Sequence, residues 1–318
     1  MTLGGILRIP LFYRERMKDM TEVYIFSGFL GSGKTSLLTH AIRQAKEEGL
    51  KPGVIMNELG QLAFDSAAVD GDVPLREILD GCICCTGAEK TEAQVQTLLH
   101  EGVDIIFIET TGAAHPVEAL DSIHSPLFGD ALDIRGIVTI ADGRRWLGRE
   151  SMSPQVRMLF LEQIRHASVI LLNKTDLMTD AERSKAVSEL QAINQGALLL
   201  ETVNGKAPLG YLRKMSVPRS RGPVQQTAIG KQLPISSRLV SIDEPVEREA
   251  FEAWVKSLPD SIYRMKGYVK LEGHRYPTLF QYAYGMVQWI PESMNMPCNL
   301  VIIGENPGAV TVPGNTDV

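Results

Sequence analysis

The 318-residue sequence lacks any apolar run of the roughly 18 to 20 residues that a membrane-spanning helix requires. It also lacks an excess of basic residues, because 32 Lys and Arg are outnumbered by 38 Asp and Glu and the formal net charge is −6. General nucleic-acid binding depends on clustered Lys and Arg that neutralise phosphates. We therefore expect neither a membrane nor a nucleic acid as a partner.

Cysteine is scarce as well, with four residues in the whole chain, and three of them fall in the pentapeptide GCICC at 81–85. The amino-terminal segment does not have the uninterrupted apolar stretch of a secretory signal, since Arg8 and Pro10 lie within it. We expect a cytoplasmic protein whose thiols stay reduced, so a disulfide framework is excluded. Residues 1–20 are expected to be a disordered extension.

The chain from residue 21 to residue 205 alternates apolar runs with segments of helix length. The runs are VYIFSG (23–28), KPGVIMN (51–57), VDIIFIETTG (103–112), IRGIVTIAD (134–142) and ASVILLNKTD (167–176). Strands that are apolar on both faces are typical of a parallel sheet. This pattern predicts an α/β domain with a mostly parallel sheet and helices on both faces.

The remainder of the chain has a different texture. Residues 206–234 are rich in Gly, Pro, Ser and basic residues, which predicts a linker. Residues 235–318 contain one helix candidate, at 246–257, and several strand candidates, of which TLFQYAYGMVQW (278–289) is interpreted as a single strand. One helix and several strands predict a smaller α+β domain with an antiparallel sheet.

The segment GFLGSGKTS matches the phosphate-binding pattern G-x-x-x-x-G-K-[ST], and it follows a predicted strand and opens a predicted helix. Its glycines let successive backbone N–H groups face a phosphate, and the start of the helix favours an anion. Lys34 is expected to contact the β- and γ-phosphates, and the Thr35 hydroxyl to bind Mg²⁺. The candidate phosphate-binding residues are Gly28, Gly31, Ser32, Gly33, Lys34, Thr35 and Ser36. The sequence therefore predicts a P-loop nucleotide-binding domain.

Asn173, Lys174 and Asp176 form an N-K-x-D motif directly after an apolar run. A carboxylate at the last position accepts hydrogen bonds from N1–H and the exocyclic 2-amino group of guanine, whereas adenine has neither of these two donors and would leave the carboxylate unpaired. The motif favours GTP over ATP.

The run IFIETTG ends a strand with Glu109 and reaches Gly112 three residues later. We expect Lys34 and Glu109 to be the catalytic residues, with Glu109 orienting water, and the Gly112 N–H to sense the γ-phosphate. The segment NELGQLAFD (57–65) follows the second strand, at the position of a first switch segment.

In this order the motifs resemble the CobW-type family of metallochaperone GTPases, which is related to accessory GTPases for urease and hydrogenase. The C-terminal region adds an R-x-K-G signature at 264–267. The resemblance implies a GTPase that binds a transition metal through Cys82, Cys84 and Cys85 and delivers it to a client metalloprotein. By analogy with related GTPases, a homodimer is expected. The chain departs from the family pattern at Gln61 and at His115, and it has no His-rich stretch.

Three thiolates and one further ligand suit tetrahedral Zn²⁺, while soft sulfur ligands also accept Cu(I) and, less tightly, Co²⁺. Glu58 and His115 are candidates for the fourth ligand. Two other interpretations of the cysteines stay open, namely a redox sensor and buried structural thiols. At the level of function, the alternatives are a metal sensor or reservoir without GTP-driven transfer, and a cobalt chaperone for cobalamin synthesis or nitrile hydratase activation.

Overall fold

The computed structural model describes residues 20–56, 73–77, 88–213, 235–283 and 285–315. Within this part of the chain, one sheet has seven parallel strands in the order β3-β2-β4-β1-β5-β6-β7. The strands are β1 (Thr21–Ser27), β2 (Pro52–Met56), β3 (Leu75–Glu77), β4 (Ile105–Glu109), β5 (Leu132–Asp142), β6 (Val169–Asn173) and β7 (Leu198–Glu201). The predicted parallel sheet is confirmed.

Helices cover both faces of this sheet. They are α1 (Lys34–Glu47), α2 (Ala88–His100), α3 (Pro116–Ile123), α4 (Gly143–Leu147), α5 (Pro154–Arg165), α6 (Asp180–Ile193) and α7 (Leu209–Arg213). Leu37 and Ile42 of α1 pack on one face, and Leu98 of α2 and Leu120 of α3 pack on the other. Because both faces are buried, the strands need no polar side, which explains their uninterrupted apolar runs. None of the helices in the described ranges is long and apolar enough to cross a bilayer.

The segment predicted as a linker begins with folded structure. Leu209 and Leu212 of α7 are fully buried in the core that contains α1. Arg213 binds the Glu22 carboxylate of β1 at 2.8 Å, and Arg135 binds the same group at 3.1 Å. Burial opposes ionisation of Glu22, but these two guanidinium groups hold its pKa below the usual value. Residues 214–234 lie outside the described residues, so the proposed domain boundaries remain predictions.

A second sheet, in the order β11-β10-β9-β12-β8, is antiparallel. Its elements are β8 (Ser236–Ser241), α8 (Arg248–Lys256), β9 (Ile262–Val269), β10 (Thr278–Ala283), β11 (Met286–Pro291) and β12 (Asn299–Gly304). Phe251 of α8 contacts the rings of Phe280 and Trp289, so the helix covers one face of the sheet. The predicted α+β architecture and the predicted helix at 246–257 are confirmed.

The interpretation of TLFQYAYGMVQW as one strand is wrong, since this segment forms the β10–β11 hairpin. The chain turns at Gly285, which has φ 89°, a conformation that favours glycine. The alternating pattern continues through the turn, with Phe280 paired opposite Trp289, and therefore hides the reversal of direction.

The free face of the second sheet packs on α2 and α3, and two residues of the R-x-K-G signature form ion pairs across this interface. Arg264 binds Asp121 of α3 at 2.9 Å, and Lys266 binds Glu92 of α2 at 2.7 Å. A Cβ at Gly267 would lie 2.2 Å from the Asn299 carbonyl oxygen, so only glycine fits between β9 and β12. The signature therefore joins the C-terminal sheet to two helices of the nucleotide-binding part.

The apolar contacts of this interface belong to the same core as the first sheet. Val301 and Ile303 of β12 are about 1% exposed and lie in one cluster with Leu120 and Ile123 of α3. The Asn299 side-chain amide also donates to the Pro126 carbonyl at 3.0 Å. The two sheets are thus held together by a continuous apolar core with ion pairs beside it.

We predict that Arg264→Ala destabilises the protein by about 1–3 kcal/mol, because the Asp121 carboxylate stays buried without its cation. Burial already raises the pKa of Asp121, and Arg264 opposes that rise. The folded-state pKa should therefore rise further in the variant. The loss of stability should then be larger near neutral pH than in mildly acidic buffer, where Asp121 becomes protonated. Urea unfolding at several pH values measures it.

Arg248→Ala is the matched control, because Arg248 pairs with Glu252 at 2.9 Å on the exposed surface of α8. An exposed pair of this kind contributes about 0–1 kcal/mol. Equal losses in the two variants at every pH would contradict a structural role for the Arg264–Asp121 contact.

Candidate functional site

The phosphate loop joins β1 to α1 at the carboxyl edge of the parallel sheet. Gly28 has φ 135°, and a Cβ there would lie 2.3 Å from the Ile140 carbonyl oxygen. Gly33 has φ 113°, and a Cβ there would lie 2.4 Å from Nδ2 of Asn173. Both glycines are therefore required by conformation and by space, and the loop is fitted closely against β5 and β6.

Lys34 lies inside this loop and is 6% exposed. Its Nζ donates to the carbonyl oxygens of Gly28 at 2.9 Å and of Phe29 at 3.3 Å. The ammonium group is thus held across the loop, beside backbone N–H groups at the start of a helix. This combination of positive potentials suits a phosphate group.

Thr35, the next residue, contacts the carboxylate at the end of β4. Its hydroxyl donates to Glu109 at 3.2 Å to one oxygen and 3.4 Å to the other. The contact follows from the sheet, because Glu109 pairs with Phe26 on the neighbouring strand β1. A hydroxyl and a carboxylate are hard oxygen ligands, and such a pair fits Mg²⁺.

Gly112 packs directly on the tip of the phosphate loop. A Cβ at this position would lie 2.6 Å from the Leu30 backbone nitrogen. The Gly112 carbonyl accepts a hydrogen bond from the Gln163 side chain at 3.2 Å, which fixes the segment from the other side. The structure therefore brings Lys34, Thr35, Glu109 and Gly112 together around one loop, as the sequence predicts for their positions.

Asn173 links the phosphate loop to a second loop. Its side chain is buried, and its Nδ2 donates to the Ser32 carbonyl at 2.7 Å. Its Oδ1 accepts hydrogen bonds from the Thr202 hydroxyl at 3.2 Å and from the Gly205 N–H at 3.0 Å. Asn173 thus positions the backbone of the phosphate loop and of the 202–205 turn.

Lys174 and Asp176 follow at the same edge of the sheet. Lys174 has φ 61°, and its Nζ lies 2.7 Å from Oδ2 of Asp142. Burial opposes ionisation of Asp142, but Lys174 and the Arg145 backbone N–H keep its pKa below the usual value. Asp176 is exposed and lies in a one-turn 3₁₀ helix, Thr175–Leu177, whose first residue is buried.

Two parts of this site were not predicted from the sequence. Asp142 is the last residue of β5, and it pairs with Asn173, the last residue of β6. A polar residue at the end of an apolar strand was therefore the only sign in the sequence that Asp142 belongs to the site. The segment from Thr202 to Gly205 follows the last parallel strand, and its Asn204-Gly205 pair has φ 54° and 66°. Asn-Gly is a turn signal, and a turn at this edge of the sheet closes the site beside Asn173.

The predicted metal ligands are the remaining candidate residues. Cys82, Cys84, Cys85 and Glu58 lie outside the described residues. No group of three or more His, Cys, Asp or Glu side chains within the described ranges could hold a metal ion. His115, the other candidate for a fourth ligand, is the N-cap of α3, and its Nδ1 accepts from the Val117 N–H at 3.3 Å.

A phosphate loop at the carboxyl edge of a parallel sheet, with a carboxylate beside its threonine and an N-K-x-D turn nearby, defines a P-loop nucleotide-binding protein of the GTPase type. The model of the CobW/HypB/UreG nucleotide-binding domain matches residues 22–201, and that of the cobalamin synthesis protein cobW C-terminal domain matches residues 235–311. The chain therefore belongs to the CobW/HypB/UreG family.

Relatives with a described role agree with this assignment. The chain is 34% identical over 203 residues to the zinc chaperone YeiR of Escherichia coli, a match that spans 63% of this chain and 60% of that protein. It is 28% identical over 277 residues to the zinc chaperone YjiA of the same organism, with 81% and 85% covered. The zinc-bound crystal structure of the YjiA GTPase has the same fold, with a TM-score of 0.50, 23% identity and coverage of 90% and 94%.

We predict that Asn173→Ala destabilises the protein by about 2–4 kcal/mol, since it leaves buried partners on two loops without hydrogen bonds. It should also weaken nucleotide binding at least tenfold, because the phosphate loop and the 202–205 turn lose their link. Urea unfolding and fluorescence titration with a guanine nucleotide measure the two effects.

Asn194→Ala is the control, because Asn194 is equally buried and donates to the carbonyls of Ile164, Arg165 and Ala167 away from the site. It should destabilise the protein without changing the affinity for nucleotide in the folded state. The same loss of affinity in both variants would mean that general destabilisation, and not the link through Asn173, weakens binding.

Proposed function

We propose that this protein is a GTP-hydrolysing metallochaperone whose cargo is a transition metal ion, most simply zinc. In this proposal Cys82, Cys84 and Cys85 bind the metal, Glu58 supplies a further ligand, and the nucleotide state controls transfer to a client metalloprotein. The family of the chain and the zinc chaperones among its relatives support the proposal.

The nucleotide chemistry follows from the residues around the phosphate loop. Lys34 and the loop N–H groups would bind the β- and γ-phosphates, and the Gly112 N–H would contact the γ-phosphate. Thr35 and Glu109 would hold Mg²⁺, and this ion would neutralise part of the negative charge of the phosphates. Glu109 would in addition orient the attacking water, and Asp176 would accept hydrogen bonds from guanine.

The observation that carries the coupling of metal to nucleotide is the arrangement of three strand ends. Met56 at the end of β2 pairs with Glu109 of β4 on one side and with Glu77 of β3 on the other. Neighbouring strands are about 4.8 Å apart, so the end of β2 lies beside Glu109 and the end of β3 lies about 10 Å from it. Glu58 follows Met56 by two residues, and GCICC begins four residues after Glu77. The strands that precede Glu58 and GCICC therefore end one and two strands away from Glu109, which supports the proposed coupling.

The donor set suits a cargo that has to be released. Three thiolates bind Zn²⁺ strongly, and a fourth position filled by a carboxylate or water can be exchanged for a ligand of the client. If Glu58 moves with the switch segment when the γ-phosphate is lost, the metal loses a ligand and its affinity falls. A metal that bound equally well in both nucleotide states could not be released in this way.

We predict that Zn²⁺ stimulates GTP hydrolysis and that the triple variant C82S/C84S/C85S loses this stimulation while it still binds GTP. Serine removes the thiolates and barely changes the volume of the side chains. Phosphate release with and without Zn²⁺, and a competition titration of Zn²⁺ in the presence of GDP or a non-hydrolysable GTP analogue, measure the effects.

Cys298→Ser is the matched control, because Cys298 lies in the core of the C-terminal sheet, half-buried. It should keep the full response to Zn²⁺, whereas Lys34→Ala should abolish hydrolysis with or without metal. A triple variant that still responds to Zn²⁺ would disprove the assignment of the metal site. Equal zinc affinities in the two nucleotide states would favour a sensor or reservoir instead.

We predict that Asp176→Asn weakens GTP binding about 100-fold and shifts the preference toward xanthosine triphosphate. The amide can donate to the C2 carbonyl of xanthine, whereas it leaves the amino group of guanine without an acceptor. Competition binding with both nucleotides and with ATP measures the change. If the variant kept the preference for guanine, Asp176 would not read the base.

A further inference from the structure

Arg145, like Lys34, is a charged side chain that touches the phosphate loop. It lies in α4, and its Nη1 donates to the Leu30 carbonyl oxygen at 2.6 Å. Leu30 is the loop residue against which Gly112 packs, and its own side chain is 67% exposed. The loop tip is therefore held through its backbone: Gly112 packs on the Phe29–Leu30 peptide, and Arg145 binds the Leu30–Gly31 peptide.

The position of Arg145 is fixed by neighbours on both sides. Its backbone N–H donates to Oδ1 of Asp142 at 3.2 Å, and the other oxygen of Asp142 binds Lys174. The next residue, Trp146, is fully buried and donates from Nε1 to Glu189 at 3.1 Å. The guanidinium group thus reaches the loop from a short helix that is anchored at both of these points.

The bond to the Leu30 carbonyl determines where the following N–H points. The described chain contains no cis peptide bonds, and in a planar trans peptide the C=O and N–H groups point in opposite directions. Arg145 holds the Leu30 carbonyl on its own side of the loop, so the Gly31 N–H points away from Arg145. Gly31 has φ 75°, which allows this orientation without strain.

We infer that Arg145 is a positioning residue for GTP hydrolysis: it holds the Leu30–Gly31 peptide so that the Gly31 N–H faces the bond between the β- and γ-phosphates. Negative charge grows on the oxygens there as this bond breaks, and a preorganised donor stabilises it without reorganisation at the moment of reaction. The positive guanidinium group also polarises the peptide and makes its N–H a better donor. This inference rests on the proposed GTPase activity.

A purely structural role for Arg145 makes different predictions from a positioning role. Loss of loop structure would weaken GDP and GTP alike, because both bind their β-phosphate in the loop. Loss of one oriented N–H at the β–γ bond would affect the γ-phosphate and the transition state, and would leave GDP nearly unaffected. The ratio of the two affinities and the turnover number therefore separate the two roles.

The test compares Arg145→Ala, Arg145→Lys and the full-length wild-type protein. Arg145→Ala should lower kcat about 10- to 100-fold and weaken binding of GTPγS relative to GDP about tenfold, while Kd for GDP changes less than about threefold. Arg145→Lys keeps a donor for the Leu30 carbonyl and should recover much of kcat. Arg157→Ala is the control, since Arg157 pairs with Glu150 on the exposed surface of α5.

Three results would overturn the inference: an unchanged kcat in Arg145→Ala, equal losses of GDP and GTPγS affinity, or no recovery with lysine. The measurements also separate this inference from the proposed function. A wild-type protein that does not hydrolyse GTP would refute the GTPase proposal, and the affinity ratio of GTPγS to GDP would still decide whether Arg145 acts on the γ-phosphate side of the loop.

Discussion

The buried amide of Asn173 is the contact on which the nucleotide site depends. It bonds to Ser32 in the phosphate loop and to Thr202 and Gly205 in the turn after the last parallel strand. The phosphate loop follows β1 and the turn follows β7, and these strands are not adjacent in the sheet. The sheet alone therefore would not fix the distance between the loop and the turn. Since the amide satisfies polar groups that would otherwise be buried without partners, the two halves of the site are expected to form together.

The rest of the site follows from the order of the strands. β1 lies at the centre of the sheet, with β4 on one side and β5 on the other. The phosphate loop consequently has Glu109 and Gly112 on its β4 side, and Asp142, with Arg145 just beyond it, on its β5 side. Parallel strands bring all their carboxyl ends to one edge, so residues far apart in sequence meet there without further design.

The sequence predicted the parts of the fold that depend on local patterns. Continuous apolar runs marked the parallel strands, and the phosphate loop was readable because its glycines are required at fixed spacing. Asp142 and Arg145 were not predictable in this way, because a charged residue after a strand is common. Asp142 acquires its role from Lys174, and Arg145 acquires its role from Leu30. Both contacts form only in the folded chain. The hairpin at Gly285 was missed because side-chain alternation does not record the direction of the backbone.

The shared core between the two sheets has a consequence for truncation of this chain. Ile235, Val301 and Ile303 complete a cluster whose other buried members lie in the nucleotide-binding part, so a fragment that ended at Arg213 would present apolar surface to water. Such a fragment would tend to associate with itself or with other proteins. The C-terminal sheet thus shields from water an apolar surface of the nucleotide-binding part in this chain.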